Sequence, residues 1–313
     1  MRFLKDLLRF LLPLFVLALG VELGLRRVDT MHFSRAIALS QQWPQTRVLI
    51  TGNSHEAVGI DCRSLGAPCF NLASGSQSLQ LDRRMLEKYG GQFSGLKLLI
   101  LGVSYQSIQA APREPDDLAF EYWHAYGVDG EDDLPWLDVR RYSVFATFGP
   151  ERSLDYMRRG FKSGTPVPAP WAYLPAQAIV SRDMTEQGAA RRVARHHSGM
   201  DPREVPRNLE ALRGMIRRGQ SVGARVVLLV SPVSSRYRRY TRPADVALLH
   251  ESVSGLASEM SVELKSYWGD PRFTDELFRD LDHLAPDGTQ LLTRLVRAEV
   301  VQAGPQGRSL GQP

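Results

Sequence analysis

The sequence predicts an α/β protein, a three-layer sandwich built around a central parallel sheet. Short apolar runs bounded by turn residues, at 47–51, 96–103 and 224–232, are typical of buried strands. Segments with apolar residues at helical spacing separate these runs, and such a β-α-β rhythm indicates parallel strands with helices on both faces. The chain has 313 residues, of which 43% are hydrophobic. This size suits one domain with an insertion, or two small domains.

The N-terminal segment, residues 1–27, predicts a membrane anchor. Three basic residues in the first nine positions precede an apolar run from Phe10 to Val21, and a single span from Leu7 to Leu25 would place Glu22 near the interface. A positive flank before an apolar core is typical of a secretory signal, but no clear cleavage site follows. We therefore expect an uncleaved helix that crosses the membrane once, with the rest of the chain outside the cytoplasm. The run is short for a spanning helix, which needs about 20 residues, so an amphipathic or buried helix is the alternative.

The remaining elements follow the anchor in order. Residues 28–45 are predicted to be a linker with a short helix, 46–302 the α/β domain, and 303–313 a disordered polar tail. An insertion at about 111–203 interrupts the domain. Besides the three buried runs, we expect a short strand at 66–73, an edge strand at 262–267, and helices at 77–90, 204–222, 242–260 and 286–302.

Aromatic residues distinguish the predicted insertion, which we expect to be irregular because it is rich in Pro, Asp and Gly. They either pin the irregular segment to the core or form an exposed platform on which a carbohydrate stacks. The aromatic residues in question are Tyr122, Trp123, Tyr126, Trp136 and Trp171.

Charge and cysteine content exclude some classes of function. The net charge is +5, and no block of like charge is long enough for a nucleic-acid arm, so we expect no nucleic-acid partner. The densest basic patch, 191–197, is interpreted as a solvated helix face. Its neighbouring His196 and His197 lack further ligands at suitable spacing, so no metal or other cofactor is expected. Cys62 and Cys69 form either a disulfide in an oxidising compartment or two buried free thiols.

Ser54 and the segment Asp280-Leu281-Asp282-His283 are the candidate catalytic residues. Ser54 follows the first strand and a Gly turn, where an open α/β sheet binds its ligands and the next helix begins. A serine hydroxyl becomes a good nucleophile when a histidine takes its proton and a carboxylate orients that histidine. His283 and Asp280 offer this pair, with Asp282 as a weaker candidate for the orienting role. We interpret His55 as a capping or supporting residue.

These motifs resemble those of the SGNH (GDSL-like) hydrolase superfamily. The closer resemblance is to its membrane-anchored extracytoplasmic branch, which includes bacterial polysaccharide acyl hydrolases and acetyltransferases. The resemblance covers about 46–110 and 205–302 and implies a flavodoxin-like sheet and a periplasmic domain anchored in the bacterial inner membrane. Gly52-Asn53-Ser54-His55 stands where the superfamily has Gly-Asp-Ser, and the segment 280–283 matches its final Asp-x-x-His block.

The resemblance also implies roles for single residues. Ser54 would be the nucleophile, His283 the general base and Asp280 its orienter. The oxyanion would be bound by the backbone amide of Ser54, by Gly75 and by Ser104. Two positions depart from the pattern. Ser104 stands where the superfamily has a longer Asn, and Ser76 fits the register of the second block as well as Gly75 does.

The expected activity is that of an extracytoplasmic serine esterase or O-acyltransferase. Its expected substrates are acyl esters, acetyl esters above all, of envelope polysaccharide or of small molecules, and this expectation depends on the resemblance. The alternative is an SGNH-like scaffold with weak chemistry that serves a polysaccharide modification or export complex. The Ser at position 104 is the feature that favours the alternative.

Overall fold

The computed structural model describes residues 2–112, 116–130, 133–162 and 183–303. The strands within these ranges are β1 (Val48–Thr51), β2 (Cys69–Asn71), β3 (Leu98–Gly102), β4 (Arg225–Val230) and β5 (Glu263–Ser266). The α-helices are α1 (Arg2–Leu25), α2 (Met31–Gln42), α3 (Ser54–Gly59), α4 (Leu79–Tyr89), α5 (Tyr105–Ile108), α6 (Asp117–Tyr126), α7 (Val144–Arg158), α8 (Glu186–His197), α9 (Val205–Ser221), α10 (Ser235–Tyr240), α11 (Pro243–Met260) and α12 (Pro286–Val296).

The chain divides into two compact units, which are described separately. The sheet unit comprises the described parts of 38–112 and 171–313, and the helical unit those of 1–37 and 113–170. Of the helices in the predicted insertion, α6 and α7 belong to the helical unit, and α8 belongs to the sheet unit. Trp171 and the tail beyond residue 303 lie outside the described residues.

The sheet is parallel throughout, in the order β2-β1-β3-β4-β5. Leu49 of β1 pairs with Phe70 on one side and with Leu99 on the other. This is the flavodoxin-like order, in which the chain changes direction between β1 and β3 and leaves a crevice at the carboxyl ends of these two strands. The predicted α/β class with a central parallel sheet is confirmed.

Helices cover both faces of the sheet. One core cluster joins alternate residues of the central strands, including Ile50 and Ile100, to Leu292 and Val296 of α12. The opposite face packs on α9, where a Cβ on Gly219 would lie 2.7 Å from Val226 and 2.9 Å from Leu99. Alternate strand residues thus point to different helix layers, as the period of a strand requires. The three layers follow from this packing.

In the helical unit, the C-terminal end of the apolar helix α1 packs against α7. Leu25 and Val28 pack with Val144 and Phe148. Among the described residues, α1 is the helix long and apolar enough to cross a membrane, although a signal sequence would have the same properties. In α6, Tyr122 is buried, while the Trp123 ring lies 4.0 Å from the Arg141 guanidinium carbon. These two aromatic residues are therefore packed within the unit.

Candidate active site

Ser54 begins α3 directly after the turn that follows β1. Gly52 takes a φ of 136°, which favours glycine, and Asn53 caps the helix. The Asn53 side chain accepts a hydrogen bond from the backbone N–H of His55 at 2.9 Å. The Glu56 carboxyl in turn accepts from the backbone N–H of Asn53 at 3.1 Å. This reciprocal capping fixes the turn and places a half-buried Ser54 at the carboxyl end of the sheet.

The loop that contains His283 is closed at both ends by backbone pairing. Phe278 and Leu284 form an antiparallel bridge, and the Arg279 N–H donates to the His283 carbonyl at 3.0 Å. Inside the loop, Asp280 Oδ1 accepts from the backbone N–H of Asp282 at 3.1 Å and of His283 at 2.8 Å. Asp280 is thus held by the loop's own backbone, next to the ring that it contacts.

The structure brings Ser54, His283 and Asp280 together. Ser54 Oγ lies 2.8 Å from His283 Nε2, and His283 Nδ1 lies 2.9 Å from Asp280 Oδ2. An ionised carboxylate can only accept, so Nδ1 carries the proton toward Asp280 and Nε2 is free to accept from the serine hydroxyl. Asp282 is farther from the same Nδ1, at 3.6 Å. This geometry suits proton transfer from Ser54 to His283. The catalytic roles of these residues stay a prediction.

The predicted oxyanion donors differ in how they are engaged. Within the described part of the chain, neither the Ser54 nor the Gly75 backbone N–H donates a hydrogen bond. A Cβ on Gly75 would meet nothing within 4 Å, whereas the alternative, Ser76, is exposed with a φ of 59°. Ser104 Oγ caps α5 by accepting from the Ser107 N–H at 3.1 Å, and it also accepts from Asn53 Nδ2 at 3.3 Å. Both bonds use lone pairs of Ser104 Oγ rather than its proton, so they fix the position of the oxygen while its O–H can still donate.

An ion cluster around the buried Asp282, beside the base, includes Arg192, which the sequence did not indicate as a site residue. Asp282 accepts from Arg192 Nε at 2.9 Å and Nη2 at 3.1 Å, and its Oδ2 lies 3.2 Å from His55 Nε2. Burial opposes the ionisation of Asp282, but His283, His55 and Arg192 hold its pKa well below the usual range. Burial likewise opposes a charge on His55, and the hydrogen bond and charge of Asp282 nevertheless raise its pKa. Arg192 therefore does not belong to a purely solvated helix face, which corrects the interpretation of 191–197.

His55, Asp282 and His283 also offer three potential metal-ligand atoms within 4.8 Å of one another. Hydrogen bonds already engage these residues, since His283 contacts Ser54 and Asp280, and His55 contacts Asp282. The Arg192 guanidinium on the same carboxylate disfavours a bound cation. The cluster fits a set of ion pairs better than a metal site.

A polar network continues from this cluster along α8. His196 Nδ1 lies 2.5 Å from the Tyr237 hydroxyl, which is 2.6 Å from the Tyr105 hydroxyl. Burial lowers the pKa of His196 to about 4, so this ring is neutral at neutral pH. His196 lies four positions after Arg192, on the same side of the helix. Val193 lies between them and is buried. An apolar residue within this basic run was the feature of the sequence that could have indicated that α8 packs on the site.

Glu56 lies beneath the site, at the ends of three strands. Its carboxyl accepts from Ser231 Oγ at 2.7 Å, just after β4, and burial raises its pKa. A Cβ on Gly52 would approach Glu56 to 2.5 Å, and one on Gly102 to 2.2 Å. The glycines that end β1 and β3 thus make room for this carboxyl. Glu56 therefore ties the nucleophile turn to the neighbouring strands.

A cavity of about 130 Å³ adjoins the loop of the base. Its lining includes three arginines of α8 and three carboxylates. Arg191 donates to Asp183 at 2.6 Å, and Arg192 pairs with Asp282. The cavity is therefore polar but close to neutral, and it does not indicate a strongly anionic ligand.

Comparison with known proteins finds only distant similarity. No protein-family model and no curated protein matches it. Among the solved structures that match is the crystal structure of a putative acylhydrolase from Bacteroides fragilis, with 11% sequence identity and a TM-score of 0.43. The match covers 87% of this chain and 96% of that chain. A similarity this distant assigns neither a site nor an activity.

Proposed function

We propose that the protein is an extracytoplasmic serine esterase or O-acyltransferase. The main support is the hydrogen-bonded series from Ser54 Oγ through His283 to Asp280, with distances of 2.8 Å and 2.9 Å. Nucleophile, base and orienting carboxylate in this order are the arrangement that acyl transfer requires. The order of the strands adds support, because ligands of such sheets bind where Ser54 lies.

In the proposed reaction, Ser54 Oγ attacks the acyl carbonyl carbon while its proton moves to His283 Nε2. The carbonyl oxygen becomes an oxyanion, which accepts hydrogen bonds from the backbone N–H groups of Ser54 and Gly75. The C–O bond to the alcohol then breaks, and His283 returns the proton to the leaving oxygen. Water or a sugar hydroxyl then attacks the carbonyl carbon of acyl-Ser54 and gives its proton to His283. The bond between the acyl carbon and Ser54 Oγ breaks, His283 returns the proton to Ser54 Oγ, and the acid or the new ester is released.

The proposed location is the bacterial inner membrane, with the sheet unit in the periplasm. Three features support it: the basic N-terminal flank, the apolar helix α1, and the disulfide between Cys62 and Cys69. Disulfides persist in oxidising compartments. The proposed substrates, acylated envelope polysaccharide or small esters, follow from the resemblance to the membrane-anchored SGNH branch.

Hydrolysis of p-nitrophenyl acetate by the purified full-length chain tests the enzyme proposal. Ser54→Ala should reduce turnover to the background rate, because Ser54 Oγ is the hydroxyl that hydrogen-bonds to His283 Nε2. A fluorophosphonate probe should add one adduct to the wild type, on the peptide that contains Ser54, and none to the variant. Equal turnover by the two chains would remove Ser54 from the mechanism. Incubation with an acetylated oligosaccharide and an unmodified acceptor then separates hydrolysis from transfer by mass.

The second candidate is a scaffold that binds polysaccharide within a modification or export complex. The observation that favours it is that the short Ser104 side chain is held as the cap of α5, at the position where the superfamily has a longer Asn donor. Loss of one oxyanion donor typically costs about 10²–10³ in rate. Retained oligosaccharide binding with neither turnover nor probe labelling would favour this candidate over the enzyme.

A further inference from the structure

Four apolar side chains of the helical unit stand out by their exposure. Trp136 is 71% exposed, Leu137 75%, Val139 63% and Tyr142 60%. In the described part of the chain outside α1, no other large apolar side chain is as exposed as any of these four. We call these four residues the apolar patch. Large exposed apolar groups that lie close together mark interaction sites more often than isolated ones do.

Hydrogen bonds connect the apolar patch to the C-terminal end of α1. The Tyr142 carbonyl accepts from Arg26 Nη2 at 2.9 Å, and the Tyr142 hydroxyl donates to the Trp136 carbonyl at 2.6 Å. One turn of α1 earlier, the Glu22 carboxylate accepts from the backbone N–H of Val144 at 2.9 Å. The patch is therefore held beside the point where the C-terminal end of α1 packs against α7.

The exposed length of α1 indicates the level, relative to a bilayer, at which α1 first contacts α7. Its residues 2–20 are exposed throughout, and burial begins with the turn that includes Leu25. At 1.5 Å per residue, the exposed part is about 28 Å long. This length is close to the roughly 30 Å thickness of the hydrocarbon core of a bilayer. If α1 spans the membrane, the first contacts between α1 and α7 lie at the level of the lipid headgroups.

We propose that the apolar patch is a second membrane contact, inserted in the lipid interface beside the exit of α1. The inference rests on the proposed membrane anchor. Trp and Tyr are enriched at the headgroup level of a membrane because each combines an apolar ring with a polar N–H or O–H group. Arg27 is exposed near the same point and suits anionic headgroups. Two membrane contacts on one compact unit would fix its orientation on the bilayer, whereas a single helix leaves the unit free to rotate.

Spin labels on the full-length chain in nanodiscs of phosphatidylethanolamine and phosphatidylglycerol test this proposal. Both native cysteines form the disulfide, so a single added cysteine can be labelled. The labelled variants are Leu137→Cys and Val139→Cys, with Leu14→Cys in α1 as the lipid reference. Arg203→Cys is the water reference, because the Arg203 side chain is 89% exposed. Collisions with oxygen report lipid, and collisions with a water-soluble nickel complex report solvent.

We expect labels at 137 and 139 to lose access to the nickel complex and to gain oxygen collisions, as the label at 14 does. Access to nickel at 137 and 139 like that at 203, with the label at 14 in lipid, would overturn the patch and leave the anchor intact. A label at 14 in water would overturn the anchor and the patch together. Labels at 137 and 139 shielded from both reagents would mean that a protein surface covers the patch, which also contradicts a lipid contact.

Discussion

The substitution Asp282→Asn tests the importance of the buried ion cluster. The Asp282 side chain is 1% exposed and accepts two hydrogen bonds from Arg192, whose side chain is 28% exposed. Asparagine keeps the size of the side chain but removes the charge. Removing one partner of a buried ion pair costs about 3–5 kcal/mol, and the partial exposure of Arg192 places the expected loss near the lower end, at about 3 kcal/mol.

The loss of stability depends on pH in a way that the two shifted groups determine. The pKa of Asp282 is lowered, so its contribution is complete above the unfolded pKa of about 3.9 and is lost as the pH falls further. The pKa of His55 is raised, so its contribution is complete below the unfolded pKa of about 6.5 and is lost as the pH rises through the folded pKa. The difference between wild type and variant should therefore be largest between about pH 4 and 6.5.

Thermal and urea unfolding of the detergent-solubilised full-length chain, between about pH 3 and 8, measures this effect. Near pH 6 a loss of about 3 kcal/mol corresponds to a fall in melting temperature of roughly 6–12 °C. The matched control is Glu259→Gln, which breaks a similar bidentate pair with Arg213 on the surface, at 2.7 Å and 2.8 Å. The control should change stability little, because exposed pairs are screened by solvent. Equal shifts in the two variants, or a difference that does not vary with pH, would refute the importance of burial.

Three further predictions concern residues of the sheet unit. Gly102→Ala places a Cβ 2.2 Å from the Glu56 carboxyl, and in a urea titration it should lower the free energy of unfolding by about 1–3 kcal/mol. In the control, Gly255→Ala, the added Cβ meets nothing within 4 Å, so the free energy of unfolding should stay the same or rise. Reduction of the Cys62–Cys69 disulfide should lower the free energy of unfolding by about 2–3 kcal/mol, measured with and without dithiothreitol. Asp280→Asn should lower kcat for ester hydrolysis by about 10⁴-fold with little change in KM. If kcat falls less in Asp280→Asn than in Asp282→Asn, the orienting carboxylate is that of Asp282 and our assignment to Asp280 is wrong.

The parallel sheet was accessible from the sequence because the central strands are buried on both faces. Such strands are continuous apolar runs, and 96–103 and 224–232 contain the observed Leu98–Gly102 and Arg225–Val230. The weaker runs were located less well: the predicted strand at 66–73 contains only the three-residue Cys69–Asn71. Strand ends depend on hydrogen bonds to neighbours, which a single segment does not encode.

The site was partly accessible for a similar reason. Asp280 and His283 are three positions apart, and one turn brings them together, so a local pattern predicts their contact. Arg192 and Asp282 are separated by 90 positions, and their pairing depends on how α8 packs in the sheet unit. A basic run such as 191–197 has no local feature that separates a half-buried arginine from solvated ones, except the apolar Val193 beside it.

Two parallel hydrogen bonds hold the nucleophile and the base in register. Ser54 contacts His283, and the next residue, His55, contacts the preceding residue of the loop, Asp282. Because the second contact does not involve Ser54, Ser54→Ala should leave the loop in place and remove only the nucleophile. His55→Ala, in contrast, takes a partner from a buried carboxylate and releases one side of the loop. A loss of activity in Ser54→Ala therefore reports on chemistry, whereas a loss in His55→Ala combines chemistry with a displaced base.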